Sequence, residues 1–392
     1  MGISTEKNLP VEWSSTKNLL WSSPLPGEGH ASPIIWGDRV FVCTVKWADD
    51  VADRTKVIPT HHVTCYRLAD GKTLWDTTVK PGPWVRNDFR SGPGGGYAAP
   101  TPATDGKNVF VVFGSSVIAA LDFEGKIAWR KEIVPYTFDV TIGGSPILYG
   151  DHVLMFCAMS KKSDSKAIAF NKADGAVAWE AKLPTTGFGH STPVLIDVKG
   201  KTQLLVLASA MGTSPDALQA LDPATGKRIW WCRGNGDAMS PVFADGKIYF
   251  DSGRGSRGVA VDASGKGDVT NTHIRWTIGQ VPSGISSPVV SGGYLYRLHR
   301  PEILKCWKFT DGTQVYSHRL KGITSTWASP IVDANSRLYL ASAGKSYVIQ
   351  CGPEFKLLAV NDLNDPNHAS PAVSQGRMVL VGVKDVYCVG KK

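Results

Sequence analysis

The chain has 392 residues, of which 42% are hydrophobic, 41 are glycine and 24 are proline. This composition is typical of turn-rich β proteins and excludes collagen-like, low-complexity and disordered classes. The sequence has no run of about 18 apolar residues, so it predicts no transmembrane helix. Its 43 Lys and Arg against 34 Asp and Glu give a formal net charge of +9, which favours acidic partners, but the basic residues form no stripe of the kind that binds nucleic acid.

Eight copies of one short pattern divide the chain. Each copy has a Ser-Pro or Thr-Pro pair inside a short apolar run, then a tight turn, then a second run rich in β-branched and aromatic residues, which predicts a β-hairpin. Apart from a longer first interval, the copies repeat every ~40 to 50 residues, as in β-propellers with four strands per blade. The prolines are Pro33, Pro102, Pro146, Pro193, Pro241, Pro288, Pro330 and Pro371.

A second pattern follows each hairpin and is plainest over residues 218–230. It is a strand, a turn that ends in Gly, and a strand with Trp four residues after that Gly. We expect the Trp to fill the wide outer part of the wedge between neighbouring blades. The seventh copy lacks this Trp. The clearest Gly and Trp pairs are Gly71 and Trp75, Gly125 and Trp129, Gly175 and Trp179, and Gly226 and Trp230.

The repeat predicts an all-β fold, an eight-bladed β-propeller of four-stranded antiparallel blades that occupies residues 1–392 as a single domain. The last copy ends without its outer strand, whereas residues 17–25 contain a matching Leu-Leu-Trp run. We therefore expect this N-terminal strand to complete the eighth blade and close the ring, which removes free sheet edges. The predicted blades are residues 31–80, 98–133, 144–183, 191–234, 239–278, 286–320, 328–361 and 369–390.

The two patterns together, Ser-Pro-x4-Gly-x-x-Val and Ala-Leu-Asp-x-x-Thr-Gly-x-x-x-Trp, resemble the PQQ-binding-like (BamB-like or quinoprotein-like) β-propeller repeat family over nearly the whole chain. Residues 267–273 and 352–355 resemble secreted propellers of planctomycete-type bacteria. In those relatives a signal peptide precedes the segment that matches residues 2–4. The resemblance implies a periplasmic or secreted protein whose signal peptide has been removed, while a cytoplasmic location stays open.

The resemblance also raises the question of a cofactor. The PQQ dehydrogenases of this family have adjacent cysteines, a Ca²⁺ site with Glu, Asn and Asp ligands, and a catalytic Asp. This sequence has no adjacent cysteine pair and no Asp-x-Asp-x-Asp loop, so we expect no PQQ and no other organic cofactor, while a bound metal stays open. Its seven scattered cysteines predict buried structural residues rather than disulfides or a zinc site.

One slot of the repeat predicts the candidate site. The residue three before each proline begins the innermost strand on the face that receives the long loops, which we call the top face. Three histidines in this slot suggest a ligand site, with a metal held by the three imidazoles and ordinary structural histidines as alternatives. Around the ring the slot holds His30, Ala99, Gly143, His190, Ala238, Ile285, Trp327 and His368.

Arginines and aromatic residues of the top-face loops are predicted to surround the same opening. Arg binds acidic groups bidentately, and aromatic rings stack on sugars, so an acidic polysaccharide or an envelope protein is the expected partner. A solvated rim without a ligand is the alternative. Besides the slot residues, the candidates for ligand binding are Trp84, Arg86, Arg90, Arg233, Arg257, His299 and Arg300.

Two functions remain open at this stage. The first is a monomeric binding or scaffold protein of the bacterial envelope. The second is a carbohydrate-active enzyme for an anionic polysaccharide. In a lyase, Arg86 or Arg254 would neutralise a uronate carboxylate while His190 or Tyr97 removes the adjacent proton. A hydrolase would need two carboxylates, for which the candidates are Asp88, Asp237 and Glu302.

Overall fold

The structure is a computed structural model that describes residues 2–83, 96–133, 143–159, 164–184, 186, 189–209 and 212–391. Within these ranges the regular secondary structure is β-strand without any α-helix, and it forms eight separate sheets. The predicted all-β, eight-bladed propeller is confirmed. No helix of the described ranges combines the length and apolar character needed to cross a membrane.

The first half of the chain forms the initial strand and blades 1 to 4. Strand β1 is Leu19–Pro24. Blade 1 contains β2 (Ile34–Trp36), β3 (Arg39–Lys46), β4 (Thr60–Arg67) and β5 (Thr73–Val79). Blade 2 contains β6 (Ala103–Thr104), β7 (Asn108–Phe113), β8 (Val117–Asp122) and β9 (Ile127–Glu132). Blade 3 contains β10 (Ile147–Tyr149), β11 (His152–Cys157), β12 (Lys166–Asn171) and β13 (Val177–Lys182). Blade 4 contains β14 (Val194–Val198), β15 (Lys201–Leu207), β16 (Ser214–Leu221) and β17 (Arg228–Gly234).

The second half forms blades 5 to 8. Blade 5 contains β18 (Val242–Ala244), β19 (Lys247–Phe250), β20 (Arg254–Asp262) and, after the short β21 (Gly267–Asp268), β22 (Ile274–Ser283). Blade 6 contains β23 (Val289–Ser291), β24 (Tyr294–His299), β25 (Ile303–Lys308) and β26 (Gln314–Arg319). Blade 7 contains β27 (Ile331–Val332), β28 (Arg337–Leu340), β29 (Ser346–Gln350) and β30 (Lys356–Asn361). Blade 8 contains β31 (Ala372–Ser374), β32 (Arg377–Val381) and β33 (Asp385–Gly390).

Strand β1 closes the ring, as the sequence predicts. It pairs antiparallel with β33 and forms the outer strand of blade 8, whose strand order is β1-β33-β32-β31. The ends of the chain are thus joined within one sheet. In the other blades the strands follow one another from the channel outwards, and the first strands of neighbouring blades lie side by side around the channel.

The tryptophans have a more specific role than filling the wedge. The indole of Trp75 in blade 1 lies over Gly125 of blade 2, where a Cβ atom would come within 2.6 Å of the ring. Gly125 has a φ of 86°, so both its conformation and its neighbour favour glycine. The indole N–H of Trp75 donates to the carbonyl of Phe123 in the same turn, at 2.8 Å. The same packing joins Trp21 to Gly71, Trp129 to Gly175, Trp179 to Gly226 and Trp276 to Gly312.

The seventh blade, which lacks its Trp, is completed by the N-terminal segment. Trp13 is only 2% exposed and packs in the apolar cluster between blades 7 and 8. Its backbone N–H donates to Oδ1 of Asn361 at 2.8 Å, and the side-chain amide of Asn361 donates to the carbonyl of Val11 at 3.0 Å. A tryptophan from outside the repeat therefore fills the gap that the repeat leaves.

Blade 4 also departs from the repeat. Its sheet has a fifth strand, because β21 pairs parallel with β17. Trp230 is fully buried, and its indole N–H donates to Gln203 of the same blade at 2.9 Å rather than to the next blade. The seven cysteines are free and six of them are buried.

Candidate functional site

The top face opens into a cavity of about 890 Å³ at the upper end of the channel, which we call the funnel. Its wall consists of the chain just before the innermost strand of every blade and of the loops that follow β15, β19 and β24. The eight residues of the predicted slot all line it. A cavity of this size is typical of a small-molecule binding site.

The chain alternates in the same way at this point of every blade. The slot residue and the Ser or Thr two positions later are partly exposed, whereas the residue between them and the following proline are buried. This is the two-residue period of extended chain, in which alternate side chains point to opposite faces. The funnel is therefore lined by two stacked rings of side chains, one variable and one always hydroxylic.

The hydroxylic ring closes on itself through hydrogen bonds. The backbone N–H of each Ser or Thr donates to the hydroxyl oxygen of its counterpart in the next blade, for example from Ser240 to Ser287 at 3.0 Å. Eight such bonds run around the channel and end with Ser370 donating to Ser32 at 2.9 Å. This explains why the residue before each proline is Ser or Thr.

One wall of the funnel is formed by blades 4 and 5 around Asp237. The Arg254 Nε donates to Asp237 Oδ2, and His190 Nε2 lies 3.9 Å from Asp237 Oδ1. The backbone N–H of His190 donates to the carbonyl of Asp237 at 2.7 Å, so the two residues are held together by their main chains as well. Asp237 is 8% exposed, and it is the one carboxylate among the described residues that line the funnel.

A buried ion pair supports this wall from behind. Asp251 Oδ1 accepts hydrogen bonds from Arg297 Nη2 at 2.8 Å and from the backbone N–H of Gly253 at 2.6 Å. Arg297 also donates to the carbonyls of Ser286 and Gly284, at 2.7 Å each. The pair joins blades 5 and 6 and fixes the turn that precedes Arg254.

The opposite wall is a row formed by an arginine from blade 6 and three rings from blades 7, 8 and 1. The guanidinium of Arg300 lies 5.4 Å from the centroid of the Trp327 ring. Trp327 is stacked on His368 at 4.8 Å between centroids, and His368 lies 5.3 Å from His30. The row therefore places one guanidinium on a fixed aromatic support.

Hydrogen bonds fix the two histidines of this row. Asn367 donates through Nδ2 to two backbone carbonyls, so its Oδ1 is the acceptor for His30 Nδ1 at 2.6 Å, and that nitrogen carries a proton. Burial, followed by His30 and Arg300, lowers the pKa of His368 to about 4, so His368 is neutral at pH 7. The Ser325 hydroxyl lies 3.2 Å from His368 Nδ1.

The described candidates fall into two groups. His30, His190, Arg254, Arg300, Trp327 and His368 line the funnel. The three histidines do not form one cluster, because His30 and His368 are neighbours while His190 pairs with Asp237. No group of three His, Cys, Asp or Glu side chains in the described part of the chain is arranged to hold a metal.

The second group lies away from the funnel. Tyr97 is fully buried and packs against Trp47 and His61. His299 is also fully buried; its Nδ1 donates to the Pro282 carbonyl at 2.9 Å, and burial, followed by Arg297, lowers its pKa to about 3.

The remaining candidates lie outside the funnel or outside the residues that the structure describes. Arg233 and Arg257 are exposed and do not line the funnel. Glu302 accepts a hydrogen bond from the backbone of Gly322 and does not line the funnel either. Trp84, Arg86, Asp88 and Arg90 lie outside the described residues.

Sequence reasoning missed the residues that support the site. Asp251, Arg297, Ser325 and Asn367 hold the two walls, and nothing in the repeat marks them. For Asp251 and Arg297 the signal is a charged residue at a position where the other copies are small or apolar, whereas the positions of Ser325 and Asn367 are polar in other copies too. That signal becomes readable only once the blades are in register.

Comparisons with known proteins agree with this architecture. A family model described as outer membrane protein assembly factor BamB matches residues 59–318. No match to a curated protein was found by sequence. Among solved structures, BamB from Moraxella catarrhalis has a TM-score of 0.64 at 12% identity, with 95% of this chain and 99% of that chain covered. Quinohemoprotein alcohol dehydrogenase from Comamonas testosteroni has a TM-score of 0.61 at 12% identity, with 97% and 78% covered. The computationally designed Ika8 protein has a TM-score of 0.58 at 11% identity, with 95% and 99% covered. At such identities the likeness to these structures shows the fold alone.

The quinoprotein likeness makes PQQ with a bound metal ion the cofactor to test against the funnel. Ca²⁺ takes six to eight oxygen ligands, several of them carboxylates. The described lining offers one carboxylate, Asp237, and Arg254 already binds it. This donor set does not fit a metal-bound quinone.

Proposed function

Because the chain belongs to the family described as outer membrane protein assembly factor BamB, we propose that it is a binding scaffold of the bacterial envelope whose funnel holds an acidic group of a glycan or protein partner. The supporting observation is the charge of the funnel. Two arginines line it against a single carboxylate among the described residues, so this lining is net positive even when its histidines are neutral. Such a lining attracts anions and focuses their approach.

The fold suits this role because the site is rigid. Hydrogen bonds around the whole channel fix the hydroxylic ring, and the two walls above it are held by buried polar groups. A preformed site loses little conformational entropy when a ligand binds, so modest contacts can give useful affinity.

The test is a binding survey by isothermal titration calorimetry. The ligands are oligouronates, sulfated oligosaccharides, acidic peptides and neutral oligosaccharides. We expect acidic ligands to bind, with an affinity that falls as salt increases. Arg254→Gln/Arg300→Gln should weaken that binding, whereas Arg275→Gln, an exposed arginine outside the funnel, should not. Equal binding of acidic and neutral ligands would contradict the proposal.

A second candidate function, a polysaccharide lyase, is favoured by the position of His190 beside Asp237 and Arg254. An imidazole can take up a proton near neutral pH, and a guanidinium can neutralise a uronate carboxylate. A hydrolase is less well supported because it needs two carboxylates and the described lining has one. Incubation of acidic polysaccharides with the wild type and His190→Ala, followed by ultraviolet absorbance of unsaturated product, tests the lyase. Equal product from both proteins would exclude His190 as the base.

A further inference from the structure

The two arginines of the funnel differ in their partners. Asp237 compensates the charge of Arg254 through a direct ion pair. Arg300 forms no ion pair with any acidic side chain in the described part of the chain, and its guanidinium rests on Trp327 instead. The side chain of Arg300 is exposed to the funnel. The uncompensated positive charge of the funnel therefore lies on the wall of blades 6 and 7.

Arg300 is held in place before any ligand binds. Its backbone N–H donates to the carbonyl of Ser283 at 2.7 Å. Its aromatic support is fixed in turn, because Trp327 is stacked on His368 with an angle of 20° between the rings. An Arg that is already ordered loses less entropy when its planar donors bind a carboxylate.

The wall around Asp237 offers a different chemistry. Asp237 is more than nine-tenths buried, and its Oδ1 accepts no hydrogen bond within the described residues, since His190 Nε2 is 3.9 Å away. Its Oδ2 is bound to Arg254, whose own side chain is 52% exposed. Because Oδ1 of Asp237 is itself buried, the exposed group of this wall is the Arg254 guanidinium, which Asp237 holds by the ion pair. The hydroxyl groups of a sugar can accept hydrogen bonds from this guanidinium.

We propose that the funnel binds an acidic sugar residue, with its carboxylate on Arg300 and its hydroxyl groups on Arg254, which Asp237 orients. This inference rests on the proposed function and specifies its ligand class as a uronate-type glycan. A simple inorganic anion on Arg300 would leave Arg254 without hydroxyl partners, and a neutral sugar would leave Arg300 without a charged acceptor. The acidic sugar satisfies both walls.

A matched pair of ligands tests the assignment. The probes are an oligogalacturonate trisaccharide and the same trisaccharide after chemical reduction of its carboxyl groups to neutral alcohols, each titrated calorimetrically. Wild-type protein should bind the acidic form about tenfold or more tightly, the ratio that one charge-assisted hydrogen bond supplies. Arg300→Gln should reduce the preference for the acidic over the reduced trisaccharide to within about twofold. Arg300→Lys should restore part of that preference.

Arg254→Gln and Asp237→Asn are expected to behave differently from Arg300→Gln. Both should lower the affinities for the acidic and the reduced trisaccharide by similar factors, so that the ratio of the two affinities is kept. Arg275→Gln should change neither affinity. Far-UV circular dichroism of each variant checks that the fold is retained. We expect this for the arginine variants because the three side chains are exposed, and for Asp237→Asn because Asn keeps the size and shape of the Asp side chain.

The outcomes separate this inference from the proposed function. If the preference for the acidic trisaccharide survives Arg300→Gln but is lost in Arg254→Gln, the assignment of the carboxylate to Arg300 is overturned. The binding of acidic ligands would still support the scaffold function. Equal affinity of wild-type protein for the two trisaccharides would overturn the uronate ligand. Binding of neither trisaccharide would also overturn it, and binding of acidic peptides in the survey would then point to a protein partner.

Discussion

The buried ion pair of Arg297 and Asp251 should stabilise the propeller and also fix the funnel wall at Arg254. Arg297→Met tests both effects. Both side chains are essentially inaccessible, at 0% and 1% exposure. Met keeps most of the volume of the Arg side chain but removes its charge and its donors. The substitution leaves the Asp251 carboxylate buried and exposes no new surface, so the effect reports the loss of the pair.

The magnitude follows from what remains around Asp251. Removal of one partner of a buried ion pair typically costs 3–5 kcal/mol. Here Asp251 keeps the hydroxyl of Tyr249 at 2.8 Å and the N–H of Gly253 at 2.6 Å. These two donors still stabilise the carboxylate, so we expect the lower end of the range, about 3 kcal/mol. Asp251→Asn/Arg297→Met should cost less than the sum of the two single variants, because the second substitution removes a group that the first has already left unpaired.

Urea unfolding followed by circular dichroism gives the free energies of unfolding. Arg275→Met is the matched control, because Arg275 lies 2.8 Å from Asp262, the same distance as in the buried pair, but its side chain is 50% exposed. We expect that control to cost at most about 1 kcal/mol. Equal losses for Arg297→Met and Arg275→Met, or strictly additive single variants, would refute the reasoning. Arg297→Met should also weaken the binding of acidic ligands, because Arg297 binds Asp251 and Asp251 fixes the turn before Arg254.

Three further predictions concern other parts of the ring. Trp13→Ala should lower the free energy of unfolding by about 3–5 kcal/mol because it opens the gap between blades 7 and 8, whereas Leu74→Ala, at an exposed position, should cost less than about 1 kcal/mol in the same urea experiment. Ser287→Ala should cost about 1–3 kcal/mol because the N–H of Ser240 loses its acceptor, and Ser287→Thr should be nearly neutral; equal thermal shifts for the two would contradict the role of the ring. Protonation of His299 should destabilise the folded protein, because the unfolded chain binds this proton near pH 6.5 and the folded protein only near pH 3. The contribution of neutral His299 to the free energy of unfolding is therefore fully present above pH 6.5, and the free energy should fall by about 3 kcal/mol between pH 6.5 and pH 4. His299→Gln should reduce that loss.

The sequence could predict the fold and the funnel slot because both follow from the repeat. The Ser/Thr-Pro pair fixes the register of every blade, and extended chain has a period of two residues. Counting back from Pro33 or Pro371 therefore identifies the side chains that face the channel. Ring closure by β1 follows from the same counting, since one strand is missing at the end and one is left over at the beginning.

The sequence could not predict side-chain direction where a strand ends and an irregular loop begins. His299 and Arg300 are adjacent and both were expected at the funnel, yet a change of one residue reverses the side-chain direction in a strand. His299 is the last residue of β24 and points into the core, whereas Arg300 lines the funnel. Tyr97 likewise belongs to a loop by its spacing but packs against Trp47.

The replacement of the missing tryptophan could not be predicted either. Trp13 lies outside the repeat, so no period relates it to blade 7. Its position depends on hydrogen bonds to Asn361 and on the apolar cluster between two blades. These contacts join residues at opposite ends of the chain, and they become evident only when the ring is closed.

The two stacked rings of the funnel explain why this fold says little about ligand chemistry. The hydroxylic ring is fixed by structure, because each of its oxygens accepts an N–H from the preceding blade. The slot two residues earlier faces the same cavity, but its side chains are not part of this hydrogen-bonded ring. Residues as different as Ala99, His190 and Trp327 can therefore occupy equivalent places. A substitution in the slot changes the ligand surface without breaking the ring. If the funnel binds a ligand as proposed, its specificity depends on the slot and on the loops above it, where Asp237 and Arg300 give the two walls their different chemistry.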